Sequence, residues 1–204
     1  MTKKTWGTLL AAAVFALAGC AGPVAGPTPG RPPASSGSAF VRTIGCATAT
    51  SPSPTTIDGT PWPANQDALG KLVGRIQPYA MGHFADVFSG MELRGEQNKV
   101  RVYRKPSAAF DAWVLHDFAA DCVEMVDARF NETELAAMRD RVSDDIEFWR
   151  AKGLPINSVA AAIDGSGIEV TTTEVERAKA ELAERYGPDL PIKVSYGKPF
   201  ELAR

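Results

Sequence analysis

The sequence predicts an α+β domain, because short stretches with a period of two alternate with longer stretches of helical periodicity. A unit of hairpin, helix and strand occurs twice, and a long amphipathic helix joins the two units. With 204 residues, the chain has room for one compact domain beside a signal segment and a linker. We therefore expect two hairpin-helix-strand units whose helices pack on one side of an antiparallel or mixed sheet.

A signal segment and a linker are predicted before the domain. Residues 1–19 carry Lys3 and Lys4 near their start and continue with an uncharged apolar run, the layout of an export signal. As a helix, the stretch from Leu9 to Ala18 would cover roughly 15 Å, about half of a bilayer core near 30 Å thick. Residues 20–57 are rich in Pro, Gly and Ser and are predicted to form a tether, of which the apolar piece 40–46 docks on the domain.

The remainder, residues 58–204, is predicted to be a single domain that begins with a helix. Asn65 can cap this helix, and the apolar residues that follow share one of its faces. Pro78 lies inside the helix and removes one of its backbone hydrogen bonds. We expect either a kink or a break near Gln77.

The first hairpin-helix-strand unit follows this helix. Alternating stretches at 84–93 and 99–105 predict a hairpin around a polar turn. Pro106 opens a short helix, since proline is tolerated in a first helical turn. A strand-like apolar run at 122–130 completes the unit.

The clearest helix is predicted at 132–152. Asn131 caps it and Glu134 stands at the third helical position, which is a capping-box arrangement. The carboxylates near its middle are assigned to its solvated face. Gly153 ends the helix, because glycine favours the position that follows a helix.

The second unit repeats the order of the first. Its strands are predicted at 156–163, 168–172 and 192–196. The segment Asp164-Gly165-Ser166-Gly167 supplies the glycines that a tight reversal between the first two strands requires. Thr173 and Glu176 predict a second capping box, which opens the helix of this unit.

The four residues Leu17-Ala18-Gly19-Cys20 close the apolar run and resemble the lipobox of bacterial lipoproteins. The resemblance implies that the Cys20 thiol carries a diacylglyceryl group, that the signal is cut just before Cys20, and that the new amine can accept a further acyl chain such as palmitate. Two acyl chains give stable anchoring, at about 0.8 kcal/mol per buried CH₂. The alternative is an ordinary secretory signal that is cut elsewhere.

Two cysteines, Cys46 and Cys122, remain once Cys20 is assigned to lipid. Outside the cytoplasm a pair of thiols usually forms a disulfide, and we expect one here that pins the end of the tether to the domain. Because the loop is long, chain entropy gives this bond about 4 kcal/mol. The alternative is two buried, unpaired thiols.

The charge of the chain argues against nucleic acid as a partner. The net charge of −2 becomes −4 when the two signal lysines, Lys3 and Lys4, are removed. No polybasic block is present to bind anionic lipid headgroups. Attachment to a membrane is therefore expected to depend on the acyl chains alone.

Few residues of the sequence suggest chemistry. His83 with Asp86, and His116 with Asp117, could serve as metal ligands or acid–base pairs, but no third ligand stands at a recognisable spacing. Nucleophile-elbow, phosphate-loop and C-x-x-C motifs are absent from the sequence. We expect no catalytic residue, no metal site and no cofactor.

Two sets of residues are candidates for a binding surface. One set either lines a carbohydrate or peptide groove or belongs to the core, and consists of Trp62, Trp113, Phe148 and Trp149. The other set is predicted to be a basic strand edge that faces an anionic polymer or only protects the edge from pairing, and consists of Lys99, Arg101, Arg104 and Lys105.

From Leu69 onwards the chain resembles uncharacterised domains of exported and lipoprotein chains of actinobacteria. The resemblance is carried by Ile76-Gln77-Pro78-Tyr79 and by the stretches 164–170 and 181–187. The order of elements is also similar to the prodomains of secreted bacterial trypsin-like proteases, which act as folding aids and inhibitors. We expect no protease domain after Arg204, so this second resemblance implies binding in trans only. Neither resemblance implies a catalytic residue.

These observations predict a non-catalytic binding or scaffold domain held at the outer face of a cell membrane, with an envelope protein or polymer as its partner. One alternative is a prodomain-like inhibitor of a secreted hydrolase, and another is an enzyme with an unrecognised site. A cleft with convergent titratable groups would favour an enzyme, whereas a groove or an open sheet edge would favour a binding domain.

Overall fold

A computed structural model describes residues 40–199 of the chain, so Cys20 and the predicted signal lie outside the described residues. The α+β class is confirmed. In chain order the strands and α-helices are β1 (Val41–Arg42), β2 (Pro54–Ile57), β3 (Thr60–Pro63), α1 (Gln66–His83), β4 (Phe88–Arg94), β5 (Lys99–Arg104), α2 (Ala108–Asp117), β6 (Val123–Asp127), α3 (Glu132–Ser143), α4 (Ile146–Ala151), β7 (Ile156–Ala161), β8 (Ile168–Thr172), α5 (Val175–Tyr186) and β9 (Ile192–Tyr196).

The two predicted units are present, and each builds its own mixed sheet. In the first unit β4 and β5 form an antiparallel hairpin, α2 crosses over, and β6 returns parallel to β5. The second unit repeats this order with β7, β8, α5 and β9.

The paired residues of the two hairpins correspond at a constant spacing. Phe88 pairs with Arg104 and Ile156 pairs with Thr172, so both members shift by 68 positions, from 88 to 156 and from 104 to 172. Each first strand has an irregularity in its register directly after this pair. Residues of the first sheet can therefore be matched one by one with residues of the second.

The first sheet has one more strand than the second. β1 pairs antiparallel with the outer edge of β6, with Val41 opposite Met125 and Arg42 opposite Glu124. The strand orders are β1-β6-β5-β4 and β7-β8-β9, and β2 pairs only with β3 in a separate hairpin. The folded part of the chain therefore includes residues from the predicted tether.

The prediction of one long helix at 132–152 is wrong, because the chain bends after Ser143 and α4 starts at Ile146. The capping box at the start of α3 is confirmed: the Glu134 backbone N–H donates to the Asn131 side chain at 2.8 Å, and the Asn131 backbone N–H donates to the Glu134 carboxylate at 2.9 Å. Asp145, at the bend, accepts hydrogen bonds from side chains of α5. This long-range contact accounts for a bend that helical periodicity does not predict.

Three smaller boundaries also differ from expectation. α1 continues through Pro78 without a break, and Phe84 follows the end of α1 instead of starting a strand. No second capping box forms at Thr173; the Thr172 hydroxyl accepts the backbone N–H of Glu174 at 3.1 Å, directly before α5.

Each unit encloses its own apolar core between its helices and its sheet. The first contains Leu72, Ile76, Val100, Val102, Phe110, Val114, Val123 and Met125. The second contains Val142, Trp149, Leu154, Ile168, Val170, Ala178, Leu182 and Tyr186. Between residues 40 and 199, no helix combines the length and the apolarity that crossing a bilayer requires.

The units meet at the turn between β7 and β8. The backbone N–H of Phe130 donates to the carbonyl of Gly165 at 3.1 Å, and the Ser89 hydroxyl donates to the carbonyl of Phe130 at 2.7 Å. Gly165 has a φ of 71°, as the predicted tight reversal requires. A side chain at this position would meet Ala128, so the close approach of the two units depends on glycine.

Candidate functional site

The two histidines lie apart and in simple surroundings. His83 stacks on the ring of Tyr79, with centroids 4.0 Å apart, and its Nδ1 is 3.1 Å from the Tyr79 carbonyl. His116 Nδ1 lies 2.7 Å from the carboxylate of its neighbour Asp117 on the surface. Within the described part of the chain, no three His, Cys, Asp or Glu side chains come together in a way that would hold a metal ion.

The prediction of a basic strand edge is wrong, because β5 lies between β4 and β6 in the sheet. Its cations are matched with acids. Arg42, Glu124, Arg101 and Glu92 stand opposite one another on the four strands, so the signs of charge alternate across the sheet. Local sequence shows the cations of β5, but only the strand order shows their partners.

Glu124 is the centre of this row of charges and is nearly buried. It accepts two hydrogen bonds from Arg101, at 2.8 and 2.7 Å, and its carboxylate lies 2.9 Å from the Lys99 ammonium. Burial by itself would raise the pKa of Glu124, but the hydrogen bonds from Lys99 and Arg101 outweigh it and hold the pKa below its usual value.

The other two basic residues of the predicted edge are also paired. Arg104 is buried and donates to Asp111 at 2.7 and 2.9 Å and also to Asp127. Lys105 donates to Glu134 at 2.9 Å. These residues join β5 to neighbouring elements and leave little free charge for an anionic polymer.

The aromatic candidates do not form one groove. Trp149 is only 1% exposed and belongs to the second core, whereas Trp62 and Phe148 are exposed on the surface. Trp113 stacks on Tyr79 with centroids 4.6 Å apart. Trp113 packs against the first core and Trp149 lies within the second, so the alternative that Trp149 belongs to a core is confirmed.

A groove of about 280 Å³ runs between α4 and α5 beside Phe148. The Arg185 guanidinium lies 3.9 Å from the centre of the Phe148 ring and donates two hydrogen bonds to Asp145. These hydrogen bonds lower the pKa of Asp145 below its usual value. The bond between Arg185 and Asp145 ties α5 to the bend before α4.

The structure contains the predicted disulfide between Cys46 and Cys122, whose Cα atoms are 4.2 Å apart. Beside it, the Thr43 hydroxyl donates to the carbonyl of Asp121 at 2.6 Å and accepts the backbone N–H of Val123 at 2.9 Å. The disulfide and these hydrogen bonds hold β1 against β6.

The outer edge of β9 is the best candidate for a functional site. No strand between residues 40 and 199 pairs with this edge. The Ile168 N–H donates to the Pro191 carbonyl and the Gly197 N–H donates to the Thr172 carbonyl, so odd-numbered residues of this segment bond to β8. The backbone groups of Ile192, Val194 and Tyr196 therefore point away from the sheet, towards the open edge.

An apolar groove adjoins this edge, and a second groove shares one lining residue with the first. The first, of about 250 Å³, lies between the end of α5 and β9, with Leu182, Ala183, Ile192 and Val194 among its lining residues. The second, of about 340 Å³, includes Met138 and shares Leu190 with the first. The open backbone of β9 thus lies next to a groove that can take apolar side chains.

The side chains of β9 differ between its two faces. Ile192 and Val194 are half-buried on the face towards α5, and Tyr196 on the same face is 63% exposed. Lys193 is on the other face, and its ammonium lies 3.3 Å from the Glu169 carboxylate of β8. The sequence pattern predicts a strand at 192–196 but carries no signal for an edge, because an edge is defined by the strand order.

No protein-family model matches this chain, and no curated protein matches it in sequence.

Proposed function

We propose that the protein is a non-catalytic binding domain, anchored by lipid at the outer face of a cell membrane, that takes up an extended segment of a partner protein at the outer edge of β9. The observation that supports this function is the open edge itself, with an apolar groove of about 250 Å³ directly beside it.

Strand addition suits this edge for a physical reason. The unpaired N–H and C=O groups of an edge strand can form main-chain hydrogen bonds with any extended segment, and adjoining pockets then select among side chains. β9 is short, with five residues from Ile192 to Tyr196. A segment bound there gains a limited number of hydrogen bonds, so contacts in the groove must supply part of the affinity.

The proposed anchor rests on the sequence. Cys20 in the lipobox-like segment would hold the chain at the membrane, and the Pro, Gly and Ser residues before Phe40 would let the domain search the surrounding envelope. A tethered binding domain meets membrane-proximal partners at a raised effective concentration. A weak strand-addition site is useful under this condition.

A site-specific photo-crosslinker tests the proposal in cells of the native host. The crosslinker replaces Tyr196 at the open edge, and in a matched control it replaces Met81, which is 45% exposed on α1. We expect a discrete adduct from position 196 and none from position 81. Val194→Pro should remove the adduct, since it deletes an N–H that points to the open edge and spares the bonds to β8. No adduct, or an adduct that persists in Val194→Pro, would overturn the proposal.

A second candidate function is the binding and restraint of a secreted hydrolase. It is favoured by the observed succession of helix, hairpin, helix and strand, which is the order on which the resemblance to protease prodomains depends. We expect the purified chain to slow at least one secreted protease of the same host, and Val194→Pro to relieve the inhibition. If the purified chain leaves the rates of all tested secreted proteases unchanged, this candidate function is excluded.

A further inference from the structure

In the first unit a strand occupies the edge that corresponds to the open edge of β9, and it shows how a segment can dock there. Position by position, β5 corresponds to β8 and β6 corresponds to β9, because Val102 pairs with Met125 just as Val170 pairs with Val194. In the first unit β1 occupies the outer edge of β6 and runs antiparallel to it. The matching position beside β9 is the open edge.

This correspondence sets a direction and a register for a segment at β9. Val41 of β1 stands opposite Met125, whose counterpart is Val194. A segment that docks as β1 does would therefore run antiparallel to β9 and place one residue opposite Val194. That residue would lie on the face towards α5, next to the groove lined by Leu182 and Ala183, so an apolar side chain fits there.

The position next to Val194 in β9 carries a charge opposite in sign to that of its counterpart in the first unit. In the first sheet, Arg42 stands opposite Glu124, which stands opposite Arg101. The counterpart of Glu124 is Lys193, and the counterpart of Arg101 is Glu169. At this position β9 therefore presents a cation where β6 presents an acid. An acidic residue opposite Lys193 would restore the alternation of charge, whereas a basic one would stand beside a like charge.

The same pattern argues against a second copy of this chain as the occupant. If two β9 strands paired antiparallel about Val194, Lys193 of one copy would stand opposite Ser195 of the other. Such a pairing supplies no acid to Lys193. Charge complementarity therefore favours a different partner.

We infer that the segment bound at β9 is an extended antiparallel peptide with an apolar residue opposite Val194 and an acidic residue, next in its sequence, opposite Lys193. This inference rests on the proposed function and specifies its partner.

Two pentapeptides patterned on β1 test the inference against the full chain in detergent, with ¹⁵N labelling and NMR shift titration to millimolar peptide. One is acetyl-Ala-Phe-Val-Glu-Thr-amide, and the other has Arg in place of Glu and so repeats the chain's own segment around β1. We expect both to shift the amides of β9, with the Glu peptide binding about fivefold tighter, as an opposite-charge cross-strand pair would give. Lys193→Glu should reverse the preference.

A third peptide, with the Val nitrogen methylated, makes the test independent of folding in any variant. It lacks the N–H that would bond to the Val194 carbonyl, and we expect it not to bind. Equal affinity of the Glu and Arg peptides, with loss on methylation, would overturn the inferred charge pattern and leave strand addition at the edge standing. Binding of neither peptide, or binding unaffected by methylation, would overturn both the inference and the proposed use of this edge.

Discussion

The buried indole N–H of Trp149 donates a hydrogen bond to the hydroxyl of Tyr186 at 3.1 Å. That hydroxyl in turn donates to the Asp145 carboxylate at 2.7 Å. A single phenol thus satisfies a core tryptophan of α4 and connects α5 to the bend that precedes α4. This chain of hydrogen bonds links α4, α5 and the bend between α3 and α4.

Tyr186→Phe should lower the free energy of unfolding by about 1–2 kcal/mol, because it leaves the buried Trp149 N–H without its acceptor. Tyr196→Phe is the matched control, since Tyr196 is 63% exposed and its change should leave stability unaltered. Urea unfolding followed by tryptophan fluorescence measures both variants. Equal stability of the two variants would show that the hydrogen bond contributes nothing.

Gly165→Ala should be far more damaging than Gly153→Ala, although both glycines have a φ near 70°. The left-handed backbone alone costs a side chain about 1–2 kcal/mol, and Gly153 has open space around it. At Gly165 an added Cβ would lie 2.6 Å from the Ala128 Cβ and 2.8 Å from the Phe130 carbonyl oxygen. We expect about 1–3 kcal/mol of additional loss from this overlap. Thermal melts of the two variants provide the comparison, and similar melting temperatures would refute the close approach of the units.

Glu124 should make the stability of the chain sensitive to acid. Because the folded state lowers the pKa of Glu124, its contribution to stability is present above the unfolded value, near 4.5, and is lost as the pH falls through the lower, folded pKa. Glu124→Gln should therefore have a lower free energy of unfolding than the native chain at pH 7. This difference between the two chains should narrow below pH 4.5. A difference in the free energy of unfolding that stays constant from pH 7 to pH 3 would contradict this role of Glu124.

Reduction of the bond between Cys46 and Cys122 should release β1 before the rest of the first sheet. In the chain-entropy model, reduction lowers the free energy of unfolding by about 4 kcal/mol. Without the disulfide, β1 is paired with β6 at only two positions. Hydrogen exchange with and without reductant is the measurement. We expect faster exchange at Thr43, whose N–H donates to the Val123 carbonyl, and unchanged protection of Val102 in the centre of the sheet. Loss of protection at both positions would mean that the sheet unfolds as one unit.

Cys20→Ala should abolish lipid attachment. Native material should show an intact mass that starts at Cys20 and carries acyl chains, and palmitate label should be absent from the variant. Because the lipid is the expected means of attachment, the variant should also leave the membrane fraction. An unmodified N-terminus in native material would exclude the anchor.

Local features of the fold were predictable from the sequence. The capping box of Asn131 and Glu134 and the reversal at Asp164-Gly165-Ser166-Gly167 depend on residues a few positions apart, whose side-chain and backbone preferences act within one turn. The pairing of Cys46 with Cys122 followed from counting the cysteines outside the lipobox-like segment. The order of hairpin, helix and strand followed from periodicity.

Other features were decided only by residues far apart in the chain. The bend before α4 depends on Arg185 and Tyr186, which lie 40 and 41 positions beyond Asp145. The central position of β5 depends on β6, and the open edge of β9 depends on the strand order of its sheet.

The sequence by itself thus determined the order of the helices and strands from α1 onwards, apart from the bend between α3 and α4, because those preferences arise from near neighbours. Tertiary structure alone decided which strands are neighbours, which charges are paired and which strand edges are open. These properties arise from contacts between distant segments, and periodicity carries no information about them.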